Sequence, residues 1–321
     1  MTRAIIATEI GGPEVLRIAE APELVPGPGE LLIETAAIGV NFIETYQRSG
    51  AYSVPLPFTP GGEGAGHVRA LGAGVTGFAV GDLVTTAEAQ ATYADRFVVE
   101  AARAVAVPTG ISAETAAALP LQGLTAHYLA TSAATPEPGD TVLVHAGAGG
   151  VGLLLTQILT ARGVHVLTTA STPEKQELSR AAGAVAVFDY SGFVEQVWDH
   201  TAGVGAAVVY DGVGKDTFDD SLRSLRVRGE LVLFGAASGP VPPFDLQRLN
   251  SGGSLSVTRP SLGHFVRGPE ERGWRYGELF DLIAAGALDL RIGASFPLAE
   301  AAAAHAALES RQTTGKVILL P

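Results

Sequence analysis

The chain has 321 residues, enough for two domains that each bury a core, and its 40 glycines and 19 prolines are spread through a sequence that is 47% hydrophobic and 17% charged. Its 21 Lys and Arg against 33 Asp and Glu leave a formal charge of −12, which argues against nucleic acid or an anionic membrane surface as the main partner. Zero cysteines exclude disulfides, thiolate metal sites and a cysteine nucleophile; no apolar run approaches the roughly 18–20 residues that span a bilayer, so a cytoplasmic protein is expected.

Residues 1–110 read as short strands punctuated by Gly and Pro: RAIIAT, EVLRIAE, ELLIETAAIG, GEGAGHVRALG, GDLVTTA and ATYADRFVVE. From about Ala113 the spacing turns helical in SAETAAALP and LQGLTAHYLATSAA, the first with a Ser start signal. Strands and helices then alternate from TVLVHA through VGLLLTQILTARG, HVLTTAS, PEKQELSRAAG, AVAVFDY, FVEQVWDHTAG, AAVVYDGVG and DTFDDSLRSLRVRG to ELVLFG. This pattern predicts a doubly wound parallel sheet in an α/β fold. Beyond about Gly263 two helices, 273–285 and 299–310, precede a closing strand KVILLP. The expected division is 1–120 and 263–321 as two parts of one domain, with 121–262 inserted as the other.

The stretch HAGAGGVG holds a G-x-G-x-x-G at Gly147, Gly149 and Gly152. It follows a buried-type strand and opens a helix, the setting that aims backbone N–H groups and a helix N-terminus at a pyrophosphate. The segment Gly147, Ala148, Gly149, Gly150, Val151 and Gly152 is therefore the predicted dinucleotide turn. The next strand ends HVLTTAS with no acidic residue to bind both ribose hydroxyls. Ser171, Thr172, Lys175 and Tyr190 instead suit the extra phosphate of NADPH, although Glu174 beside Lys175 counts against it. The loops in VVYDGVG and LFGAASG, with Phe234 and Gly235, should flank the nicotinamide; Asp211 reads as a loop or helix cap. His127 and His145 read as core histidines, and His305, in the Ala-rich helix, shows no neighbour in sequence that would make it catalytic.

With these residues in place the chain resembles, over essentially its whole length, the zeta-crystallin type of quinone oxidoreductase within the medium-chain dehydrogenase/reductase superfamily. The resemblance is carried by GGPEVL (11–16), GVNFIETYQRSGAY (39–52), GGEGAGHV (61–68), VGDLV (80–84), ALPLQGLTAHY (118–128), HAGAGGVG, VVYDGVG, SLRSLRVRGELVLFG (221–235), VTRPSL (257–262) and TTGKVILLP. It implies a GroES-like, mainly β catalytic domain and a Rossmann NADPH domain. It places Asn41 near the nicotinamide, Tyr46 and Tyr52 as substrate-facing hydroxyls, Thr125 on the nicotinamide side and Arg311 beside the cofactor phosphates. Zinc-dependent relatives carry Cys at the position of Asn41 and G-H-E where Gly61-Gly62-Glu63 stand, so no metal is expected.

The resemblance thus implies NADPH-dependent, zinc-independent reduction of a small-molecule quinone, by hydride or stepwise electron transfer, in a homodimer. SLSVT (254–258) reads as the exposed apolar edge strand through which that dimer forms. A 2-enoyl thioester or alkenal reductase is the alternative enzyme on the same fold. A non-enzymatic NADPH-binding protein is a third reading, and its RNA-binding version is disfavoured by the charge.

Overall fold

Six parallel strands account for the alternating segment of the sequence. In the computed structural model, which describes residues 2–310 and 312–321, they lie in the spatial order Ala186–Phe188, His165–Thr169, Thr141–Val144, Ala206–Asp211, Leu225–Leu233 and Ser256–Thr258. Counted along the chain from Thr141 the order is 3-2-1-4-5-6, that of dinucleotide-binding doubly wound sheets, and it reverses direction beside Thr141–Val144. The central strands carry the continuous apolar runs VLV (142–144) and AAVVY (206–210) because helices cover both faces of a parallel sheet. Helix Gly150–Ala161 turns Leu153, Leu154, Leu155, Ile158 and Leu159 inward, each contributing about 1.5–3 kcal/mol of burial. On the sheet, Leu143, Leu167, Val209 and Leu231 pack with Phe193, Val197 and Phe218 of the helices Phe193–His200 and Phe218–Arg223. This sheet and its helices form one compact unit, Gly123–Arg267 with Ala287–Asp289.

The other unit comprises Met1–Gln122, Gly268–Gly286 and Leu290–Pro321. Its seven-stranded sheet runs Ile292–Pro297, Lys316–Leu320, Glu30–Val40, Gly64–Leu71, Leu83–Thr86 and Val105–Ala106, with Arg96–Glu100 also paired to Glu30–Val40. All pairings are antiparallel except that between Ile292–Pro297 and Lys316–Leu320. The long strand Glu30–Val40 serves two cores. Leu31 and Ile33 pack with Val68, Val84, Phe97 and Val99, whereas Ile38 and Val40 pack with Tyr93, Val317, Leu319 and the Ala301–Glu309 helix.

Several boundaries differ from the sequence reading: in DTFDDSLRSLRVRG the helix ends at Arg223, and LRVRG already belongs to the strand Leu225–Leu233. The helix expected from 273 begins at Pro269, whose fixed φ suits a first turn after Gly268. The helical stretch beyond Ala113 divides into Ala113–Ala118 and Pro120–Tyr128, the latter continuing into a wider turn at Leu129–Ala133. Among the described residues no helix is long and apolar enough to cross a membrane.

Candidate active site

The glycine turn sits where its chemistry needs it, at the carboxyl end of Thr141–Val144 beside the reversal of strand order. A Cβ at Gly147 would lie 2.6 Å from both Thr168 Cβ and Ser179 Oγ, and one at Gly152 would overlap the Ala146 carbonyl oxygen. Only glycine lets helix Gly150–Ala161 come this close to the preceding turn. Gly147 N–H is spent on the Thr169 carbonyl (3.0 Å) and Gly149 N–H on that of Ala146 (2.9 Å). Gly150, Val151 and Gly152 form the first helical turn, whose N–H groups an α-helix leaves without internal acceptors. The cradle fits a pyrophosphate. The strand ends on either side bring up the other expected residues. Ser171 is exposed, and Thr172 caps helix Pro173–Ala181 by accepting from the Lys175 N–H at 3.3 Å. Lys175 is half-buried, which lowers its pKa. The Tyr190 ring lies nearly parallel to that of His145, with centroids 6.1 Å apart.

His145 is satisfied, as expected of a core histidine, but its partners are polar rather than apolar. The Ser221 hydroxyl donates to Asp211 Oδ2 at 2.9 Å and so accepts from His145 Nε2–H at 3.0 Å. His145 Nδ1 then accepts from the Thr169 hydroxyl at 2.9 Å, and Thr169 Oγ1 accepts the Ala146 N–H at 3.4 Å. Burial holds the imidazole pKa below its usual range against the opposing pull of Asp211, so the neutral ring has one defined tautomer. Asp211 also accepts from Val213 N–H, Gly214 N–H and the Thr217 hydroxyl, at 2.8–2.9 Å. This chain of bonds ties together the ends of three central strands. The loop after Asp211 is in turn bonded to the loop that carries Phe234 and Gly235: Ala237 N–H reaches the Gly212 carbonyl, and Ser238 N–H that of Val213.

In the other unit Asn41 ends its strand and opens helix Phe42–Arg48 in extended conformation. It is 4% exposed and three of its groups are bonded. Its backbone N–H goes to Glu44 Oε2, its Nδ2 donates to Glu63 Oε2, and its Oδ1 accepts from Lys316 Nζ, each at 2.7 Å. Lys316 also pairs with Glu63, whose second oxygen accepts the Leu121 N–H at 2.6 Å. Glu63 and Lys316 are both fully buried. A buried ion pair is tolerable only when its remaining valences are satisfied, and here the Asn41 amide and a backbone N–H do that. Glu44 is pushed up to about 8, chiefly by burial; Lys316 lowers its pKa and Glu63 raises it further.

Tyr46 lies on the short helix that Asn41 opens, and Tyr52 just beyond it. The Tyr52 N–H donates to the Tyr46 carbonyl at 2.9 Å, and the rings sit 5.4 Å apart at 59°. Tyr52 is 48% exposed, leaving much of its ring open to a ligand. Thr125 is buried in helix Pro120–Tyr128. Arg311 lies outside the described residues. The sequence reading missed Glu44, Glu63 and Lys316 as site residues. Lys316 is the first residue of the closing strand KVILL, where a lysine reads locally as an exposed strand end, and its buried partners are distant in the chain.

Comparison with known proteins accords with this geometry. The alcohol dehydrogenase GroES-like domain profile matches residues 27–137, and the zinc-binding dehydrogenase profile matches 150–274. A mycobacterial protein solved in complex with NADPH superimposes with a TM-score of 0.97 at 54% identity, over 99% of this chain and 100% of that one. The quinone oxidoreductase of Pseudomonas aeruginosa is 45% identical across 100% of both chains. A 2-haloacrylate reductase from a Burkholderia species is 39% identical over 100% of this chain and 99% of its own. The chain belongs to the quinone oxidoreductase family of the medium-chain dehydrogenase/reductase superfamily.

Proposed function

We propose that this chain is an NADPH-dependent oxidoreductase that reduces quinones without a metal ion. The observation that carries the cofactor half is the glycine cradle, in which a Cβ at Gly147 or Gly152 would collide with its surroundings; the relative solved with NADPH supports it. Gly147 to Gly152 would hold the pyrophosphate. Ser171, Thr172, Lys175 and Tyr190 would hold the ribose phosphate, and Phe234, Gly235 and Thr125 would border the nicotinamide. Arg311 belongs to this proposed set through the family resemblance. When bound, NADPH supplies a hydride, so the quinone gains two electrons and one hydrogen, and a proton from water or a phenol completes the hydroquinone.

The acceptor half rests on Asn41, Tyr46 and Tyr52. Asn41 stands where zinc-dependent relatives place a Cys, and Gly62 where they place a His. Among the described residues no three His, Cys, Asp or Glu side chains are grouped to hold a metal. An acceptor that needs no Lewis acid suits such a site, and a quinone is already electron-poor. The Tyr46–Tyr52 pair offers a flat ring an aromatic contact and two hydroxyls. The 39% identity to a 2-haloacrylate reductase favours a second reading, reduction of an activated C=C bond in which Tyr46 protonates carbon.

NADPH oxidation measured with benzoquinone, naphthoquinone, 2-chloroacrylate and a short enoyl-CoA ester tests the choice, on wild type and Tyr46→Phe. The expected result is rapid quinone turnover, slowed only modestly by Tyr46→Phe because water can protonate a quinone oxygen. Fast chloroacrylate or enoyl-CoA reduction with negligible quinone turnover would establish the second reading instead. For the cofactor, Lys175→Ala is expected to weaken NADPH binding by about 1.5–3 kcal/mol and leave NADH nearly unchanged. Equal losses would show that Lys175 does not contact the phosphate.

A further inference from the structure

We propose that Glu63 and Lys316 are positioning residues that lock the Asn41 amide as a single oriented hydrogen-bond donor for the oxygen of the acceptor. The inference rests on the function read above and deepens it.

A free asparagine amide can turn over and present either its oxygen or its nitrogen to a ligand. Here both faces are assigned. Lys316 Nζ donates to Oδ1 and Glu63 Oε2 takes one Nδ2 hydrogen, so a flipped amide would set N–H against ammonium and oxygen against carboxylate. The backbone is held as well, by Glu44 on the Asn41 N–H. What remains is the second Nδ2 hydrogen. Glu63 and Lys316 balance each other's charge, and Leu121 N–H takes up the last carboxylate oxygen. The cluster therefore needs no reorganisation when negative charge develops on a ligand oxygen, which is the condition under which a fixed donor lowers a barrier.

Single removal of Lys316 or Glu63 strands a buried charge and threatens folding, so the test variant is the charge-neutral double Lys316→Met/Glu63→Gln. Its folding is checked by circular dichroism and melting. With the folded full chain, kcat for benzoquinone is expected to fall roughly 10- to 100-fold, less than or similar to complete loss of such a donor. The NADPH dissociation constant should change far less than kcat, because the proposed pyrophosphate and ribose-phosphate contacts lie elsewhere in the chain. Combining the double with Asn41→Ala should cost nothing beyond Asn41→Ala alone, and Lys316→Arg, which retains a donor to Oδ1, should keep most of the activity.

A binding readout independent of turnover is calorimetry of 4-nitrophenolate on the NADP⁺-loaded chain. Wild type should prefer this anionic oxygen over neutral nitrobenzene, and the double variant should lose the preference. Wild-type kcat and phenolate preference in the folded double, or losses that multiply with Asn41→Ala, would overturn the inference. If the double fails to fold, wild-type behaviour of Asn41→Ala in both measurements overturns it equally. Wild type that reduces no quinone overturns the function read above, while the phenolate comparison still decides the role of the pair.

Discussion

Glu44 shows how one side chain ties stability to pH. Its carboxyl faces Glu63 from the segment before Gly64–Leu71, Lys316 from the closing strand and the Tyr93 hydroxyl, and it accepts the Asn41 N–H. Burial raises its folded pKa to about 8 against the ordinary glutamate value of 4.5. A raised carboxyl binds its proton more tightly in the folded state than in the unfolded one. The stability it contributes is therefore fully present below about pH 4.5, declines as pH rises, and is gone above about pH 8. Glu44→Gln keeps an oxygen for the Asn41 N–H and cannot ionise. Melting curves from pH 5 to 9 should show wild type losing ground to Glu44→Gln by up to a few kcal/mol across that window, at about 1.4 kcal/mol per pKa unit. Parallel curves would mean that Glu44 titrates alike in both states.

At the level of elements, the junction of the Thr141–Val144 strand with the Gly150–Ala161 helix carries the cofactor reading. Gly152→Ala puts a methyl group into the Ala146 carbonyl and near Gly147 Cα, so helix and turn must separate. Overpacking of this kind costs about 1–3 kcal/mol. The melting temperature should fall, and NADPH and NADH should weaken together, unlike the selective loss expected from Lys175→Ala. Unchanged NADPH affinity would place the pyrophosphate elsewhere. This junction was legible in the sequence because strand, glycines and helix are contiguous, and strands buried on both faces print as apolar runs such as VLV (142–144) and AAVVY (206–210). Asn41, Tyr46 and Tyr52 came from the resemblance alone. Lys316 was not legible: its partners Glu63 and Asn41 lie 253 and 275 positions away, and a lysine opening KVILLP reads locally as an exposed strand end. The polar chain from Asp211 to Thr169 was hidden for the same reason. Ser221 and Thr169 look like ordinary helix and strand residues until the sheet brings them to His145.

For the whole molecule, the parallel sheet ends on one side in the strand Ser256–Thr258, paired only to Leu225–Leu233 among the described strands. An uncovered edge exposes unpaired backbone groups and invites pairing with another chain. Next to it Val227 is 71% exposed. No charged residue occupies Ser256, Val257 or Thr258 to discourage pairing. We therefore propose that two copies join edge to edge through Ser256–Thr258, extending the sheet across a two-fold axis. Light scattering at micromolar concentration should give twice the 32.9 kDa chain mass. Val257→Lys and Ser256→Pro, which place a charge on the edge and remove one of its N–H donors, should shift that mass toward the monomer. Both variants leave the glycine turn and Asn41 untouched, so NADPH binding per chain should persist. A wild-type monomer at that concentration, or a dimer indifferent to both substitutions, would rule out this edge as the interface.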